Sequence, residues 1–315
     1  MLYDLVTVLE KLQRGIREGL YLHVTCPPLV LYIMGSPAGV PRAEAGLQRQ
    51  GLKASQTLYA GSRGYNMGSF LDHKIFDYET YWRPESGRYG NLDTLLRLFN
   101  EVSSDYKAVL FPPSAHIHPK NKELFDALRT HPQRDRFIPC AYINPNLYNA
   151  VEELEVAVTE YGFKGVKLMP TIHRYLVDSQ VTYPVMEKCQ ELDIPVTIHS
   201  SSEGGYPRLI SKLAAAFPRV SIIMDHSGYR YFRQEALDAG RKNDNIYFGM
   251  SCVIEPAYID QVAEAISAEK IVYGSNAQGG IPKIGVMVYD YTRLSDDAKA
   301  LALGQNLARL LKVTL

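Results

Sequence analysis

The sequence predicts an α/β protein, a (β/α)8 TIM barrel preceded by an N-terminal extension. Two observations lead to this prediction. From residue 74 onward, eight short apolar segments bounded by Gly, Pro, Asn or Ser have the length of buried strands. Segments of helical periodicity alternate with them, which is typical of a parallel sheet covered by helices. An open doubly wound sheet shares this alternation, but it rarely reaches eight units, and no GxGxxG follows a strand here.

The predicted strands follow one another along the chain at barrel spacing. They are residues 74–81, 106–113, 136–143, 163–170, 194–201, 221–228, 246–253 and 271–277. Helix-period segments such as NLDTLLRLFNEV and YPRLISKLAAAF lie between them. Residues 1–73 do not fit this count. We predict that residues 1–73 form an extension or cap packed on the barrel, with a dimerisation arm as the alternative, and that residues 74–315 form the barrel.

The amino-acid composition limits which kinds of molecule the protein is expected to bind. The 315 residues are 46% hydrophobic, which is enough for a sizeable core. The net charge is zero and basic residues are scattered, so no nucleic acid and no anionic membrane is expected as a partner. The four cysteines form no CxxC pair, and neither a secretory signal nor a membrane-spanning apolar run is visible. We expect a cytoplasmic protein that acts on a small molecule, with a homodimer left open.

Polar side chains cluster where the predicted strands end, which is where barrels of this kind place their chemistry. On the first strand Asp77, Glu79 and Tyr81 share one parity. If the apolar residues face the helices, one set of polar side chains converges on the lumen. This set is Glu79, Tyr81, Lys167, His199, His226 and Asn276. Asp225 has the opposite parity to His226 and is interpreted as a supporting group.

Each of these residues also has a simpler interpretation. A single histidine at a strand end is more often a hydrogen-bonded structural residue than a ligand, and Lys167 can merely pair with a carboxylate. Glu203 can be a solvated loop acid. The loop histidines are weak signals by themselves, although they could border the barrel mouth. They are His116, His118 and His173.

Six motifs in order carry a family resemblance. They are FDYETYWRP, GFKGVKLMP, IPVTIHSS, FPRVSIIMDHSG, IVYGSN and LGQNLARLLKV. From about residue 74 to 312 the chain resembles the amidohydrolase superfamily, specifically its amidohydrolase-2 (decarboxylase-like) branch. The resemblance implies Asp-x-His-x-His on the first strand, one histidine each on the fifth and sixth strands, and an aspartate on the eighth.

The chain departs from that ligand pattern at three positions. His199 and His226 match it. Glu79 and Tyr81 stand where the first-strand histidines belong, and Asn276 stands where the aspartate belongs. An amide cannot accept the proton of an attacking water, which argues against ordinary hydrolysis by the family's mechanism.

The replacements still offer oxygen donors. A carboxylate, a phenolate, two imidazoles and an amide oxygen suit iron or manganese, and tyrosinate especially suits ferric iron. This composition is similar to that of TIM-barrel nonheme diiron monooxygenases, which act largely on coenzyme-A-linked substrates. The resemblance implies two iron ions at the mouth, O2 as co-substrate, and hydroxylation of a small or coenzyme-A-linked molecule. The implied metal ligands are Glu79, Tyr81, His199, His226 and Asn276.

Two alternatives remain open. The first is a metal-dependent hydrolase or nonoxidative decarboxylase, with one zinc or manganese ion held by the two histidines and Glu79. Lys167, His173 and Glu203 are the candidate catalytic groups, and His173 or Glu203 would replace Asn276 as the base. The second is a non-catalytic pseudoenzyme, in which Glu79 would hydrogen-bond one of the histidines directly.

Overall fold

The computed structural model describes residues 73–84, 91–113, 117–200, 203–277 and 279–315, with the backbone of residues 22–23 and 32–33. The chain divides into two compact units, Met1–Arg63 and Gly64–Leu315. In the first unit, the short strands Leu22–His23 and Tyr32–Ile33 pair antiparallel. The remainder of the predicted extension lies outside the described residues, so its role and its boundary at residue 73 stay predictions.

The second unit contains eight barrel strands. They are β1 (Phe76–Tyr81), β2 (Lys107–Phe111), β3 in two segments (Phe137–Pro139 and Ala141–Ile143), β4 (Val166–Leu168), β5 (Val196–His199), β6 (Ile222–Asp225), β7 (Ile246–Gly249) and β8 (Ile271–Val272). Each strand pairs in parallel with the next. A bridge between Thr80 and Ala277 and a 2.9 Å bond from Tyr78 N to Tyr273 O join β1 to the end of β8. The barrel closes, and the predicted fold class is confirmed.

Helices alternate with the strands as the periodicity predicts. The α-helices are α1 (Leu92–Asn100), α2 (Asn121–Arg129), α3 (Ala150–Thr159), α4 (Pro170–His173), α5 (Tyr183–Leu192), α6 (Pro207–Ala216), α7 (Arg233–Lys242), α8 (Pro256–Ala265), α9 (Pro282–Met287), α10 (Asp296–Ala300) and α11 (Asn306–Leu311). Single turns of 3-10 helix are Arg134–Arg136, Gln180–Thr182, His226–Gly228, Ala268–Lys270 and Val288–Tyr291, and Leu301–Gln305 is a π-helical turn. No helix in this described part of the chain has the length and apolar character needed to cross a membrane.

Helix α1 shows how the local sequence produces the outer layer. Its start is fixed by the Asn91 side chain, which accepts a hydrogen bond from Thr94 N. Its buried side chains recur at helical spacing: Leu92, Leu95, Leu96 and Phe99. They join one continuous core cluster with the outward-facing residues of the strands, so the apolar stripe of the helix packs on the barrel.

The lower part of the lumen is filled with apolar side chains. One buried cluster contains Phe76, Val109, Cys140, Ile223 and Val272 from five strands. Leucines of α11 belong to the same cluster and close it from below. Polar chemistry is therefore confined to the opposite end of the lumen, where the strands finish.

A bulge in β1 breaks the alternation that the sequence analysis assumed. The β1–β2 register shifts between Asp77 and Thr80. Asp77 consequently leaves the parity of Glu79. Its carboxylate accepts hydrogen bonds from Tyr106 OH at 2.7 Å and from Ser275 N at 2.9 Å, and Tyr106 belongs to the outer cluster. The shared parity predicted for Asp77 is wrong, because an inserted residue reverses the facing of the side chains on one side of it.

Candidate active site

Lys167 lies at the centre of the polar end of the barrel. Its neighbours Val166 and Leu168 pack with the helices, so alternation along β4 turns Lys167 into the lumen, as predicted. The side chain is completely buried. Nζ donates to Glu79 Oε1 at 2.8 Å and to Asp225 Oδ2. Burial by itself lowers the pKa of Lys167, but the carboxylates of Asp225 and Glu79 raise it above its usual value, so the amine is an ammonium.

The two carboxylates that hold Lys167 have different surroundings. Asp225 Oδ1 accepts from Tyr78 OH at 2.5 Å and from Ser251 Oγ at 3.0 Å. Glu79 Oε1 accepts a second bond from Tyr81 OH at 2.6 Å. Glu79 Oε2 is buried and has no hydrogen-bond partner in the described part of the chain. Burial alone raises the pKa of Asp225, but its cationic neighbours hold that pKa well below the usual range.

The two matched histidines lie together and differ in charge. Their ring centroids are 5.1 Å apart with the planes at 89°. Burial lowers the pKa of His199 to about 4, so this imidazole is neutral. Burial also opposes charge on His226, but Asp225 and Glu79 outweigh it and raise the pKa of His226 to about 10. A proton acceptor and a proton donor therefore lie side by side.

The prediction about the sixth strand needs a correction. Ile223 faces the lumen and Met224 packs with the helices, so Asp225 shares the lumen parity that was assigned to His226. His226 reaches the site because its backbone turns into the left-handed region, with φ of 58°. Asp225 is thus a central member of the site that strand parity missed. An acid next to a histidine at the end of a buried strand was its only signal.

Asn276 contacts a residue that the sequence analysis did not consider. Its Nδ2 donates to Cys252 Sγ at 3.1 Å, and the Cys252 side chain also hydrogen-bonds His226. Like His226, Cys252 and Asn276 have left-handed φ values, of 59° and 54°. Such conformations are rare outside glycine and cluster at functional sites. Three successive strand ends are therefore shaped to bring these side chains together.

The other predicted groups lie in the segments that follow the strands. His173 is buried at the end of α4, with its ring 5.1 Å from that of Tyr142. Glu203 is exposed, and its backbone oxygen accepts from Thr171 Oγ1 at 2.7 Å. His118 is exposed, and His116 lies outside the described residues. A role for His173 or Glu203 as a base stays a prediction.

A group of side chains among the described residues could share a metal ion. The donor atoms of His199, Asp225 and His226 lie within 4.8 Å of one another. Two of the three residues hold hydrogen bonds as they stand: both oxygens of Asp225 accept hydrogen bonds, and His226 Nδ1 lies 2.8 Å from Ser251 Oγ. A divalent ion therefore fits Asp225 and His226 poorly, because it would have to displace those bonds.

The remaining metal ligands implied by the resemblance are also committed elsewhere. Tyr81 donates its hydroxyl proton to Glu79, and burial together with Glu79 raises the pKa of Tyr81 well above its usual value. It is a phenol and not a phenolate. Glu79 Oε2 is 3.9 Å from His226 Nδ1, too far for a direct hydrogen bond between these two residues, which is one of the two bonds that the pseudoenzyme alternative allows.

Buried ionisable groups at the carboxyl ends of the strands of a (β/α)8 barrel define an enzyme-like site. The chain belongs to the Amidohydrolase (Amidohydro_2) family, whose model matches residues 119–313, more than half of the chain. The family resemblance of the sequence is thereby confirmed.

Individual relatives are a hydratase and decarboxylases. A 2-keto-4-carboxy-3-hexenedioate hydratase from Sphingobium sp. (strain NBRC 103272 / SYK-6) is 30% identical over 173 residues, 43% of this chain and 50% of the hydratase. The chain thus spans about half the length of that relative. The structure of 5-carboxyvanillate decarboxylase from Sphingomonas paucimobilis superposes with a TM-score of 0.62 at 15% identity, covering 76% of this chain and 99% of that one. A manganese-bound dihydroxybenzoic acid decarboxylase from Polaromonas sp. JS666 gives 0.62 at 16%, covering 76% and 97%.

These relatives distinguish between the hypotheses of the sequence analysis. The structural similarity concerns the fold, and the relatives named are enzymes that carry out hydration or decarboxylation. They agree with the nonoxidative alternative and give no support to the iron-dependent monooxygenase. Coenzyme A, O2, a homodimer and a cytoplasmic location likewise stay predictions.

The exposure of the cysteines gives a direct test of the mouth geometry. Cys252 is exposed, whereas Cys140 and Cys189 are buried. We expect iodoacetamide to modify Cys252 in the native protein and the two buried thiols only after unfolding, because alkylation requires access. Peptide mapping by mass spectrometry with and without urea measures this. Modification of Cys140 or Cys189 at the rate of Cys252 in native protein would contradict the barrel packing.

Proposed function

We propose that this protein is a lyase that acts on a small carboxylic acid, as a hydratase or a nonoxidative decarboxylase. The observation that carries the proposal is the pairing of a neutral His199 with a charged His226 beside the buried Lys167. The hydratase and decarboxylase relatives support it, since the substrates in their names are all carboxylic acids.

Both reactions need a proton delivered to a substrate carbon, and hydration also needs a base that takes a proton from water. In hydration, a base takes a proton from water as its oxygen bonds to one carbon of a double bond, and an acid protonates the neighbouring carbon. In decarboxylation, the electron pair of the broken C–C bond stays on the substrate carbon, which then takes a proton. His199 is the proton acceptor and His226 the proton donor in this proposal. The Lys167 ammonium stabilises the negative charge that develops on the substrate.

A further cation at the rim suits a carboxylate substrate. The Arg83 guanidinium lies 5.2 Å from the centre of the Tyr81 ring and is only partly buried. Guanidinium groups bind carboxylates through paired hydrogen bonds, and stacking on a ring fixes their orientation. In the proposal, Arg83 holds the substrate carboxylate while the reacting carbon faces the histidines.

A two-part assay tests the function. Purified protein is incubated with unsaturated keto acids, followed by loss of ultraviolet absorbance, and with carboxylated phenols, followed by CO2 release. We expect turnover in one of the two series and a loss of about 100-fold or more in His199→Gln. His131→Gln, on the helix side where His131 pairs with Asp93, is the matched control. Equal turnover in both variants, or consumption of O2 with the substrate, would contradict the proposal, and the second result would favour the oxygenase.

A further inference from the structure

The Lys167 amine contacts Glu79, one of the side chains that the family resemblance implies as metal ligands. We propose that the Lys167 ammonium takes the place of the divalent cation in this protein and that the site works without a bound metal ion. This inference rests on the proposed function and deepens it, because it names the charge that stabilises the anionic substrate.

The surroundings of the ammonium resemble a coordination shell. Nζ contacts one oxygen of Glu79 and one of Asp225, and all three side chains are at most 1% exposed. The rings of Phe111 and Tyr81 face it, with centroids 5.4 and 5.8 Å from Nζ. Negative ring faces and carboxylates are what a buried cation requires, because burial separates it from the solvent. Three strands and a neighbouring aromatic residue thus converge on one positive charge.

The donor atoms of Asp225 and the inner ring nitrogen of His226 are already hydrogen-bonded. Both oxygens of Asp225 accept hydrogen bonds, from Lys167, Tyr78 and Ser251. His226 Nδ1, the ring atom that faces the carboxylates, lies within 3.2 Å of both the hydroxyl and the carbonyl oxygen of Ser251. A metal ion bound there would have to break several hydrogen bonds in a closed network.

The residues that replace the family's metal ligands also argue against a bound metal ion. Tyr81 replaces an expected histidine and donates a hydrogen bond to Glu79, which orients that carboxylate toward Lys167. Asn276 replaces an expected aspartate, and its amide donates to Cys252 Sγ. Both replacements donate hydrogen bonds in this structure, and neither is an anionic ligand, because Tyr81 keeps its phenolic proton and an amide is neutral.

Repulsion by the Lys167 ammonium opposes the binding of a divalent ion beside it. A divalent ion on Glu79 or Asp225 would lie a few ångströms from Nζ, because Nζ touches both carboxylates. Repulsion between like charges is strong where side chains replace water. Two carboxylates paired with one ammonium leave at most one negative charge to balance, whereas a dication brings two positive ones.

The first experiment uses the wild-type protein. It is purified without added metal, dialysed against EDTA and analysed by inductively coupled plasma mass spectrometry. Its melting temperature is then measured with EDTA, MnCl2 or ZnCl2. We expect a metal content far below one equivalent and an unchanged melting temperature. One equivalent retained through EDTA, or a rise of about 5 °C or more with either ion, would overturn the proposal.

The second experiment removes the ammonium. Lys167→Met vacates the space between two carboxylates, and we expect Mn²⁺ or Zn²⁺ to raise its melting temperature by about 5 °C or more. Lys212→Met, at an exposed position paired with Asp178, is the matched control and should behave like the wild type. Lys167→Gln replaces Lys167→Met if the latter does not fold. A Lys167 variant that shows no response to either ion would overturn the substitution of amine for metal.

These outcomes separate the inference from the proposed function. A metal-free protein that converts none of the carboxylic acids would leave the inference standing and refute the lyase. A protein that converts them only after manganese or zinc is added would confirm the lyase and refute the role of the ammonium.

Discussion

Lys167→Met is expected to lower the free energy of unfolding by about 3–5 kcal/mol, because removing one partner of a buried ion pair leaves the other charges uncompensated. In this protein two carboxylates, Glu79 and Asp225, lose the cation that contacts both of them and keep only the His226 imidazolium as a positive neighbour, and both side chains are at most 1% exposed. Urea denaturation at pH 8, followed by circular dichroism, measures the change. This is the largest stability effect that the site predicts for a single substitution.

The stability loss in Lys167→Met is expected to depend on pH in a defined direction. Without the ammonium, burial raises the pKa of a carboxyl group above its unfolded value of about 4. The protonated form is then favoured in the folded variant, so its stability is greatest at low pH and falls as the pH rises through the raised pKa. In the wild type the pKa of Asp225 is held low, so its contribution is present above about pH 4 and is lost on acidification. The deficit of the variant should therefore shrink between pH 8 and pH 5.

Two further variants control this prediction. Lys212→Met removes an exposed amine and should change stability by less than about 0.5 kcal/mol. Lys167→Met combined with Asp225→Asn removes one negative charge along with the positive one and should recover part of the loss, because coupled charges are not additive. If Lys167→Met alone matches the wild type at every pH, the ammonium does not hold the carboxylates together.

Asp225→Asn is expected to move the alkaline limit of activity to lower pH. The Asp225 carboxylate is the largest influence raising the pKa of His226, which reaches about 10 against the opposing effect of burial. An amide removes that influence, so the imidazolium loses its proton at a lower pH and the alkaline limb of the activity profile moves down. A fall of two pKa units, to about 8, would halve kcat at pH 8 and reduce it about 50-fold at pH 10, while activity near pH 6 is affected less.

The pH profile distinguishes this role from a merely structural one. Loss of folded protein would scale the whole profile down, whereas loss of the donor moves its alkaline limb. Asp135→Asn removes a carboxylate that is 98% exposed and should leave the profile unchanged. An alkaline limb at the same pH in Asp225→Asn and wild type would show that Asp225 does not set the charge of His226.

The barrel fold could be predicted from the sequence because the spacing of apolar residues shows which side chains are buried. Short apolar segments and helical stripes repeat eight times, and no tertiary information is needed to count them. Alternation also placed Lys167 and His199 correctly, since β4 and β5 are regular. It failed at Asp77 and Asp225, because the β1 bulge and the left-handed turn after β6 depend on contacts between strands that a single-strand pattern cannot contain.

The chemistry of the site was harder to predict for a related reason. The resemblance gave positions for Tyr81 and Asn276, and oxygen-bearing side chains at ligand positions suggested iron. What those oxygens and nitrogens do depends on their neighbours: Tyr81 bonds Glu79, and Asn276 bonds Cys252. Neither neighbour is fixed by sequence spacing, so the donor roles became visible only in the structure.

Asp77, which the bulge turns away from the lumen, has a consequence for dynamics. One of its oxygens binds the amide N–H of Glu79 and that of Ser275, each at 2.9 Å. Ser275 immediately precedes Asn276 and the loop after β8. One oxygen of Asp77 thus connects β1 to the end of β8, where the barrel closes. A ligand that displaces the loop after β8 would also displace the backbone of Glu79. A shift of the loop after β8 would therefore be transmitted through Asp77 to the backbone of Glu79.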